Sequence, residues 1–291
     1  MSSSSEHVLP PSPGAEGAAP PASQLPKPST APLSRVRLWD LPTRLFHWLL
    51  VASVSAAIAT GLIGGDWIVW HGSAGLTILA LLVFRIVWGL IGPRPVRFSH
   101  FVPRPKQLRA YLAGRWQGLG HNPMGALSVL ALLTLLALQA GTGLVGTDEI
   151  AFTGPLASLV DDATSVRLTG LHQQLATALF VLLALHVLAV LFHTVVKRDD
   201  LVRPMLHGNK QVSAEWAATL TRDAQGLRGG WLAFGLALLA SLSAAYIASG
   251  AALADASSVN PPEAQTTTQV KAQEATATPA PVAAKASAAS W

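Results

Sequence analysis

Five long stretches without a charged residue constrain the fold of this chain more than any other feature. They cover residues 45–65, 67–84, 116–147, 168–196 and 229–254. The second stretch continues past Arg85 to about residue 92. A bilayer core about 30 Å thick needs roughly 20 apolar residues in a helix that rises about 1.5 Å per residue. Because lipid cannot hydrogen-bond to backbone groups, the sequence predicts five transmembrane helices.

Composition supports a membrane protein and excludes several other classes. Only 12% of the residues are charged, against about 25% in soluble domains, so neither a soluble enzyme nor an intrinsically disordered protein is expected. The chain has no cysteine, which excludes disulfides, Fe–S clusters, thiolate zinc sites and covalent attachment of c-type haem. Any metal ion must therefore be held by histidine, methionine or oxygen ligands.

The distribution of lysine and arginine predicts the orientation of the helices. Sixteen of the 20 basic residues lie before helix 1, between helices 2 and 3, or between helices 4 and 5, and only three lie on the opposite side. The positive-inside rule then places the N-terminus in the cytoplasm and, after five crossings, the C-terminus in the periplasm. The net charge of +5 is therefore a topology signal, and no nucleic-acid partner is expected.

The sequence divides into a membrane domain, a fifth helix and polar segments around them. Residues 1–34 and 255–291 are rich in Ala, Pro, Ser and Thr and are expected to be disordered. Residues 35–210 form the predicted four-helix domain, with a short amphipathic surface helix around 106–113. A cytoplasmic linker, 211–228, leads to the fifth helix at 229–254.

The histidines are the residues most indicative of chemistry. Five of the nine lie within or at the ends of the predicted helices, namely His47, His71, His172, His186 and His193. Ionisable residues inside a membrane are costly, and those that are present usually mark a functional site. A single histidine could simply hydrogen-bond between helices, but five fit that interpretation poorly.

Helix 4 carries two of these histidines on one face. His172 and His186 are 14 residues apart, which is about 21 Å of rise and about 40° short of four full turns. Pairing by depth places His71 beside His172 near the outer surface, and His47 beside either His186 or His193 near the inner surface. Two bis-histidine sites at two depths predict a bundle that carries electrons across the membrane on two b-type haems.

Arg85 is a candidate second contact to a haem. It lies 14 residues after His71, on nearly the same face of helix 2 and one haem level further in. A guanidinium there could pair with a haem propionate, or it could extend toward the inner interface.

His121 is interpreted as a helix-start residue, with Asn122 as the N-cap and Pro123 in the first turn of helix 3. The histidines expected to be solvated are His7, His100 and His207.

Four segments carry a resemblance to a known family. They are RVRLWDLPTRLFHWLL at helix 1, VWHGSAGLTILALLVFRIVWGLIGPRPVRFSHFV through helix 2, GHNPMGALSVLALL at helix 3, and TGLHQQLATALFVLLALHVLAVLFHTVVKRDDLVRPMLHGNK through helix 4. Residues 35–210 thereby resemble the bacterial cytochrome b561 and nickel hydrogenase b-type cytochrome family. The resemblance implies a four-helix bundle with two haems b, His47 and His186 as the inner ligands, and His71 and His172 as the outer ligands. It therefore favours His186 over His193.

The resemblance implies an electron-transfer protein of the bacterial inner membrane. The leading hypothesis is transfer between the quinone pool, with ubiquinone as the candidate substrate, and a periplasmic redox partner such as a c-type cytochrome. Family members suggest two alternatives, a superoxide:quinone oxidoreductase and the cytochrome b subunit of a hydrogenase-like complex. A non-redox metal transporter or scaffold is less expected, because none of the five uncharged stretches contains a carboxylate.

Two further features suggest how a partner docks. The outer link between helices 3 and 4 contains Asp148, Glu149, Asp161 and Asp162 against the single basic residue Arg167. This acidic surface suits a basic cytochrome c better than it suits superoxide. The fifth helix and the long tails, which shorter family members lack, also suggest docking to a partner.

Overall fold

Five long helices dominate the computed structural model, which describes residues 33–93, 96–115, 122–150, 152–213 and 230–253. Within these ranges all five are long and apolar enough to cross a membrane, which confirms the predicted all-α integral membrane fold. Nearly all of the two predicted disordered tails and most of the predicted linker lie outside the described residues. His7 and His121 lie outside them as well.

The elements are numbered in chain order. They are β1 (Leu33–Arg37), α1 (Leu41–Ile63), α2 (Ile68–Ile91), α3 (Phe98–Phe101), α4 (Pro105–Leu112), α5 (Pro123–Val145), α6 (Asp162–Val195), α7 (Val202–His207), β2 (Asn209–Ser213) and α8 (Trp231–Ala248). The membrane-spanning helices are α1, α2, α5, α6 and α8. Helix α4 coincides with the surface helix predicted around 106–113.

Polar caps determine where three of the long helices begin. The carboxylates of Asp40 and Asp161 accept the backbone N–H groups of Thr43 and Thr164 at 2.8 and 2.9 Å, at the starts of α1 and α6. Helix α5 begins at its proline because the side chain of Asn122 accepts a backbone N–H at 2.6 Å. These caps satisfy backbone donors that a helix cannot pair internally. Helix α5 is consequently shorter than the uncharged stretch 116–147 that predicts it.

Four of the membrane-spanning helices pack as two antiparallel hairpins, and α2 joins the two hairpins. Helix α1 packs on α2, and α5 packs on α6, while α2 also packs on α5 and α8. The backbone of α6 stands off from those of α1 and α2. We call one end of this bundle the His71 end, where α1 and α5 finish and α2 and α6 begin. The opposite end is the Arg85 end.

An apolar layer fills the middle of the four-helix bundle. It consists of Val54, Ile78, Leu82, Leu136 and Leu179. Leu179 lies seven residues from both His172 and His186, and seven residues correspond to two turns in a left-handed bundle. The layer therefore separates one level, with His71 and His172, from a second level, with His47 and His186.

A small sheet and the fifth helix complete the fold. Strands β1 and β2 pair antiparallel, from Leu33 opposite Ser213 to Arg37 opposite Asn209, and so join the two flanks of the bundle at the Arg85 end. Helix α8 lies against α2, where the Ser241 hydroxyl donates to a backbone carbonyl of α2 at 2.7 Å. The sequence did not predict this sheet, because each strand has only five residues and no alternating apolar pattern.

Candidate functional site

His71 is held by the helix that precedes it. Its Nδ1 donates a hydrogen bond to the backbone carbonyl of Ala57 on α1 at 2.8 Å. The ring also lies against Gly61 of α1, where a Cβ atom would come within 2.8 Å of Nδ1. A side chain at Gly61 would therefore displace the ring, which explains why this helical position has none.

His172 is held in the same way by α5. Its Nδ1 donates to the backbone carbonyl of Gln139 at 2.9 Å, and the Thr142 hydroxyl lies 3.2 Å from the same nitrogen. A Cβ atom at Gly143 would lie 3.2 Å from Cε1 of this ring. In both hairpins the histidine thus contacts a glycine of the neighbouring helix. Its Nδ1 also donates to the backbone carbonyl four residues before that glycine.

A repeated sequence triplet underlies these two matching arrangements. Residues 60–62 and 142–144 both read Thr-Gly-Leu. The hydroxyls of Thr60 and Thr142 donate to backbone carbonyls of their own helices, at 2.6 and 2.9 Å, which satisfies these groups inside the membrane. The sequence analysis missed Ala57, Gly61, Gln139 and Gly143. The triplet alone would not have found them, because residues 169–171 also read Thr-Gly-Leu and a Cβ atom at Gly170 would meet nothing within 4 Å.

The two held rings have the geometry that a shared metal ion requires. A carbonyl oxygen can only accept, so the proton of each ring is on Nδ1 and Nε2 keeps its lone pair. The centroids of His71 and His172 are 5.9 Å apart, and two imidazoles bound at about 2 Å to one metal ion have centroids about 6 Å apart. The backbone of α6 stands off from those of α1 and α2, so the rings of His71 and His172 face each other from different helices. The residues at this level therefore fit a bis-histidine haem.

The second level lies at the Arg85 end. His47 on α1 and His186 on α6 each lie seven residues from a member of the apolar layer, Val54 and Leu179, and both side chains are half-buried. The Nδ1 of His47 is buried and has no hydrogen-bond partner among the described residues. His193 lies further along α6, in its last turn, where its backbone carbonyl accepts the N–H of Asp199 at 3.0 Å. The structure thus brings His47 together with His186.

Arg85 is buried at this same end. Only 4% of the residue is exposed, so its guanidinium does not extend into solvent. Its Nη2 donates to the carbonyl of Val96 at 3.2 Å, and its Cζ lies 4.8 Å from the ring centroid of Phe98. Its Nη1 is buried and has no hydrogen-bond partner within the described residues. A buried, partly unpaired guanidinium is suited to an anionic group.

Buried polar atoms without a partner concentrate near the Arg85 end. Within the described ranges they are Thr43 Oγ1, Arg44 Nε, His47 Nδ1, Arg85 Nη1 and Thr194 Oγ1, while Gln139 Oε1 lies at the His71 end. Each such atom costs about 1–3 kcal/mol when it stays unpaired. This clustering is what a site for a polar ligand produces.

The link between α5 and α6 covers the His71 end. The ring of Phe152 lies over Gly72, beside His71, where a Cβ atom would come within 3.0 Å of it. Asp148 holds this link in place, because its carboxylate accepts the N–H groups of Ile150 and Phe152 at 3.0 and 2.8 Å. At the tip of the link Ile150 is 93% exposed. The link therefore covers this end of the bundle while its own tip is exposed.

That surface is acidic. The described residues at the His71 end carry five carboxylates, on Asp66, Asp148, Glu149, Asp161 and Asp162, against the single cation of Arg167. The Thr164 hydroxyl and its backbone N–H hydrogen-bond to Asp161 and lower the pKa of that carboxyl. The surface is thus negatively charged at neutral pH.

One comparison with known proteins identifies a family. The family model described as prokaryotic cytochrome b561 matches residues 38–208, which is more than half of the chain and confirms the resemblance of residues 35–210. The match covers the whole four-helix bundle, and α8 lies outside it. Neither a curated protein nor a solved structure matches the chain.

Proposed function

This chain belongs to the prokaryotic cytochrome b561 family, and we propose that it is a di-haem cytochrome that moves electrons across the membrane. Family membership and the five apolar helices make it a multi-pass membrane protein and a b-type cytochrome of electron transfer. The finer proposal concerns the number of haems, their ligands, the partners and the orientation. We propose the bacterial inner membrane, with the Arg85 end cytoplasmic, on the basis of the positive charge near that end.

The proposed ligand pairs are His71 with His172 and His47 with His186. One observation carries this assignment: the Nδ1 atoms of His71 and His172 both donate to backbone carbonyls, and the ring centroids lie 5.9 Å apart. Ligating histidines are usually oriented by such a hydrogen bond from the other ring nitrogen. The common depth of His47 and His186, each seven residues from the apolar layer, supports the second pair.

The protein contributes orientation, burial and charge. A bound haem supplies reversible one-electron transfer. The backbone carbonyls of α1 and α5 accept the Nδ1–H groups of His71 and His172, so both rings are held in a fixed orientation. The apolar middle layer keeps water out of the space between the two levels. We further propose that Arg85 pairs with a haem propionate through its unpartnered Nη1.

The proposed electron route joins a periplasmic protein to the quinone pool. The acidic surface at the His71 end supports a cationic partner, such as a basic c-type cytochrome, because opposite charges speed association. The unpartnered polar atoms near the Arg85 end support a quinone site there, since a quinone carbonyl can accept from a hydroxyl such as that of Thr43 or Thr194.

The decisive test is haem quantification in the purified protein, combined with a reduced-minus-oxidised visible spectrum. We expect two low-spin haems b per chain, and about one in the His71→Ala variant. The matched control is His100→Ala, which changes an exposed histidine of α3 and should retain both. A protein without haem, or a His71→Ala variant with unchanged haem content, would contradict the proposal.

The partner is tested separately by salt. Reduction of a basic cytochrome c should slow as ionic strength rises, because exposed charges are screened beyond about 8 Å at 0.15 M. The double variant Glu149→Gln, Asp162→Asn should slow this reduction several-fold at low salt and leave the haem spectrum unchanged. A rate that is independent of both salt and these two charges would exclude electrostatic docking at this surface.

A further inference from the structure

A polar cavity opens at the Arg85 end, outside the four-helix bundle. Its volume is about 670 Å³, within the range of roughly 300–1,000 Å³ that is typical of small-molecule sites. Its walls come from β1, the link between α6 and α7, α7 itself and β2. None of the proposed haem ligands lines it, nor do Thr43 and Thr194 of the proposed quinone site, so neither of those sites accounts for it.

The cavity carries more positive than negative charge. Two of its cations are paired, Lys210 with Asp199 at 2.7 Å and Arg203 with Asp200 at 3.3 Å. The two remaining cations, Arg35 and Arg198, have no acidic partner among the described residues and both line the cavity. Two free guanidiniums in one cavity are suited to a phosphate group, whose oxygens accept their N–H groups in pairs.

The fold holds these two arginines at the cavity by independent means. Arg35 lies in the middle of β1, where it pairs with Gln211 of β2. Arg198 has a φ of +53°, a left-handed conformation that costs about 1–2 kcal/mol for a residue with a side chain. The adjacent N–H of Asp199 donates to the carbonyl of His193 at 3.0 Å, which fixes the chain there to the end of α6.

Exposed apolar side chains lie next to this basic cavity. Helix α7 exposes Val202 and Leu206 beside the cavity residue Arg203, and α6 ends in the exposed Val195 and Val196. The cavity thus lies where a membrane helix leaves the apolar region, with charge on one side and hydrocarbon on the other. This arrangement distinguishes a lipid from a fully soluble ligand, because only a lipid needs both surfaces.

We propose that this cavity binds a phosphate group, and that the group is the headgroup of an anionic phospholipid held by Arg35 and Arg198. A soluble phosphate compound shares the same chemistry and is the other possible source. Binding at this position would tie the small sheet and α7 to the membrane surface.

The test measures lipid binding to the purified, full-length, haem-loaded protein in detergent. Phosphatidylglycerol should bind the wild type more tightly than zwitterionic phosphatidylcholine does. The double variant Arg35→Gln, Arg198→Gln should bind phosphatidylglycerol roughly tenfold more weakly or worse, since each lost bond to a charged group is worth about 1.5–3 kcal/mol. The charge-retaining variant Arg35→Lys, Arg198→Lys should recover part of this affinity.

The matched control is Lys106→Gln, Arg109→Gln, which removes two exposed cations of α4 outside the cavity. It should bind within about twofold of the wild type, because these two cations do not line the cavity, whereas attraction that scaled only with total charge would fall equally in both double variants. Equal loss in the control, or unchanged binding in the arginine variant, would overturn the proposal. Inorganic phosphate provides the second arm: competition by millimolar phosphate supports the site with a soluble ligand, and its absence supports a lipid.

Discussion

The two ends of the bundle handle their histidines differently. At the His71 end each ring is held by a backbone hydrogen bond and by contact with a glycine, on an almost identical pattern in the two hairpins. At the Arg85 end the Nδ1 of His47 is buried without a partner, and a buried arginine with one unpaired nitrogen lies at the same end. At the His71 end both rings are therefore held by the protein, and only Gln139 Oε1 is buried without a partner among the described residues there, whereas at the Arg85 end the His47 ring itself lacks one.

This difference indicates at which level the protein alone orients the histidine rings. At the His71 end the chain determines the proton position on both rings, so the two ligands are arranged before any haem binds. At the Arg85 end the polar groups need a further partner, which the proposed propionate and quinone would supply. Variants at the two ends should therefore differ in both the size and the kind of their effects.

The largest expected effects come from the histidines of α6. Replacing His186 by alanine should remove the haem of the Arg85 end and leave about one haem per chain, because it removes a proposed ligand outright. His193→Ala should retain two, since His193 lies in the last turn of the helix, beyond the level of His186. Haem content per chain and the difference spectrum measure the haem loss in both variants. If His193→Ala lost a haem while His186→Ala kept two, the inner pair would have to be reassigned.

The next effect should come from the glycines that contact the rings. Gly61→Ala would place a Cβ atom 2.8 Å from Nδ1 of His71, and Gly143→Ala would place one 3.2 Å from the ring of His172. We expect Gly61→Ala to lose most of one haem and Gly143→Ala to lose less, because the second contact needs a smaller adjustment. Haem content after purification under identical conditions measures the difference.

The matched control lies two residues from the second glycine. A Cβ atom at Gly141 would meet nothing within 4 Å, and Gly→Ala within a helix stabilises a protein by about 0.4–1 kcal/mol when the site is free. Gly141→Ala should thus retain its haems and unfold at a slightly higher temperature. Equal haem loss in Gly61→Ala and Gly141→Ala would mean that ring contact does not determine haem binding.

The fold was predictable because its strongest signals are local. The uncharged stretches are long enough to define the membrane helices one at a time, and caps such as Asn122 are readable from neighbouring residues. The sheet of β1 and β2 was not predictable. It joins segments more than 170 residues apart, and nothing in either five-residue strand indicates its partner.

The candidate site likewise has a part that the sequence predicts and a part that it does not. Spacing along α6 and depth in the membrane predicted that His71 and His172 would lie close together, because both depend on helix geometry alone. The carbonyl acceptors on Ala57 and Gln139 were not predictable, since the backbone of every residue carries the same carbonyl group. Only the packing of each hairpin determines which carbonyl meets a ring. Whether these histidines bind haem remains a prediction for the experiments above.

A smaller effect, on the haem midpoint potentials, should separate Thr142 from Thr60. The Thr142 hydroxyl lies 3.2 Å from Nδ1 of His172, whereas the hydroxyl of Thr60 bonds to carbonyls of its own helix. Hydrogen bonds to Nδ1–H make a histidine a stronger donor to iron and favour the oxidised state. Thr142→Val should therefore raise one midpoint potential by on the order of a few tens of millivolts. Thr60→Val should shift a potential less, because its hydroxyl does not contact a ring and reaches His71 only through the shared carbonyl of Ala57. A redox titration with optical detection measures both variants.

The same hydrogen bonds predict an order of potentials in the wild type. The His71 level has two Nδ1–H bonds to carbonyls and lies near the acidic surface, and both features favour oxidised iron. The Arg85 level has a nearby guanidinium, which favours reduced iron. We expect the lower potential at the His71 end, so the His71→Ala protein should retain the higher one. Retention of the lower potential would contradict this order.

The smallest effects concern the helix caps at the two ends. Asp40 caps α1, accepts the indole N–H of Trp88 at 3.1 Å and attracts Arg85, so Asp40→Ala should destabilise the protein by about 2 kcal/mol. Asp161 caps α6 from a fully exposed position, so Asp161→Ala should lower the unfolding temperature less. Thermal unfolding of both variants, with haem loss followed in parallel, gives the comparison.

The effect of Asp161 should also depend on pH, with a sign that its environment determines. Hydrogen bonds from the hydroxyl and the backbone N–H of Thr164 lower the pKa of this carboxyl. A group with a lowered pKa stabilises the folded state above its unfolded pKa of about 4, and this stabilisation disappears as the pH falls through the folded value. The wild type should therefore exceed Asp161→Ala in unfolding temperature at pH 7, and the two should converge in acid. A difference that stays constant down to the acid limit would show that the cap acts without its charge, as a neutral hydrogen-bond acceptor at the start of α6.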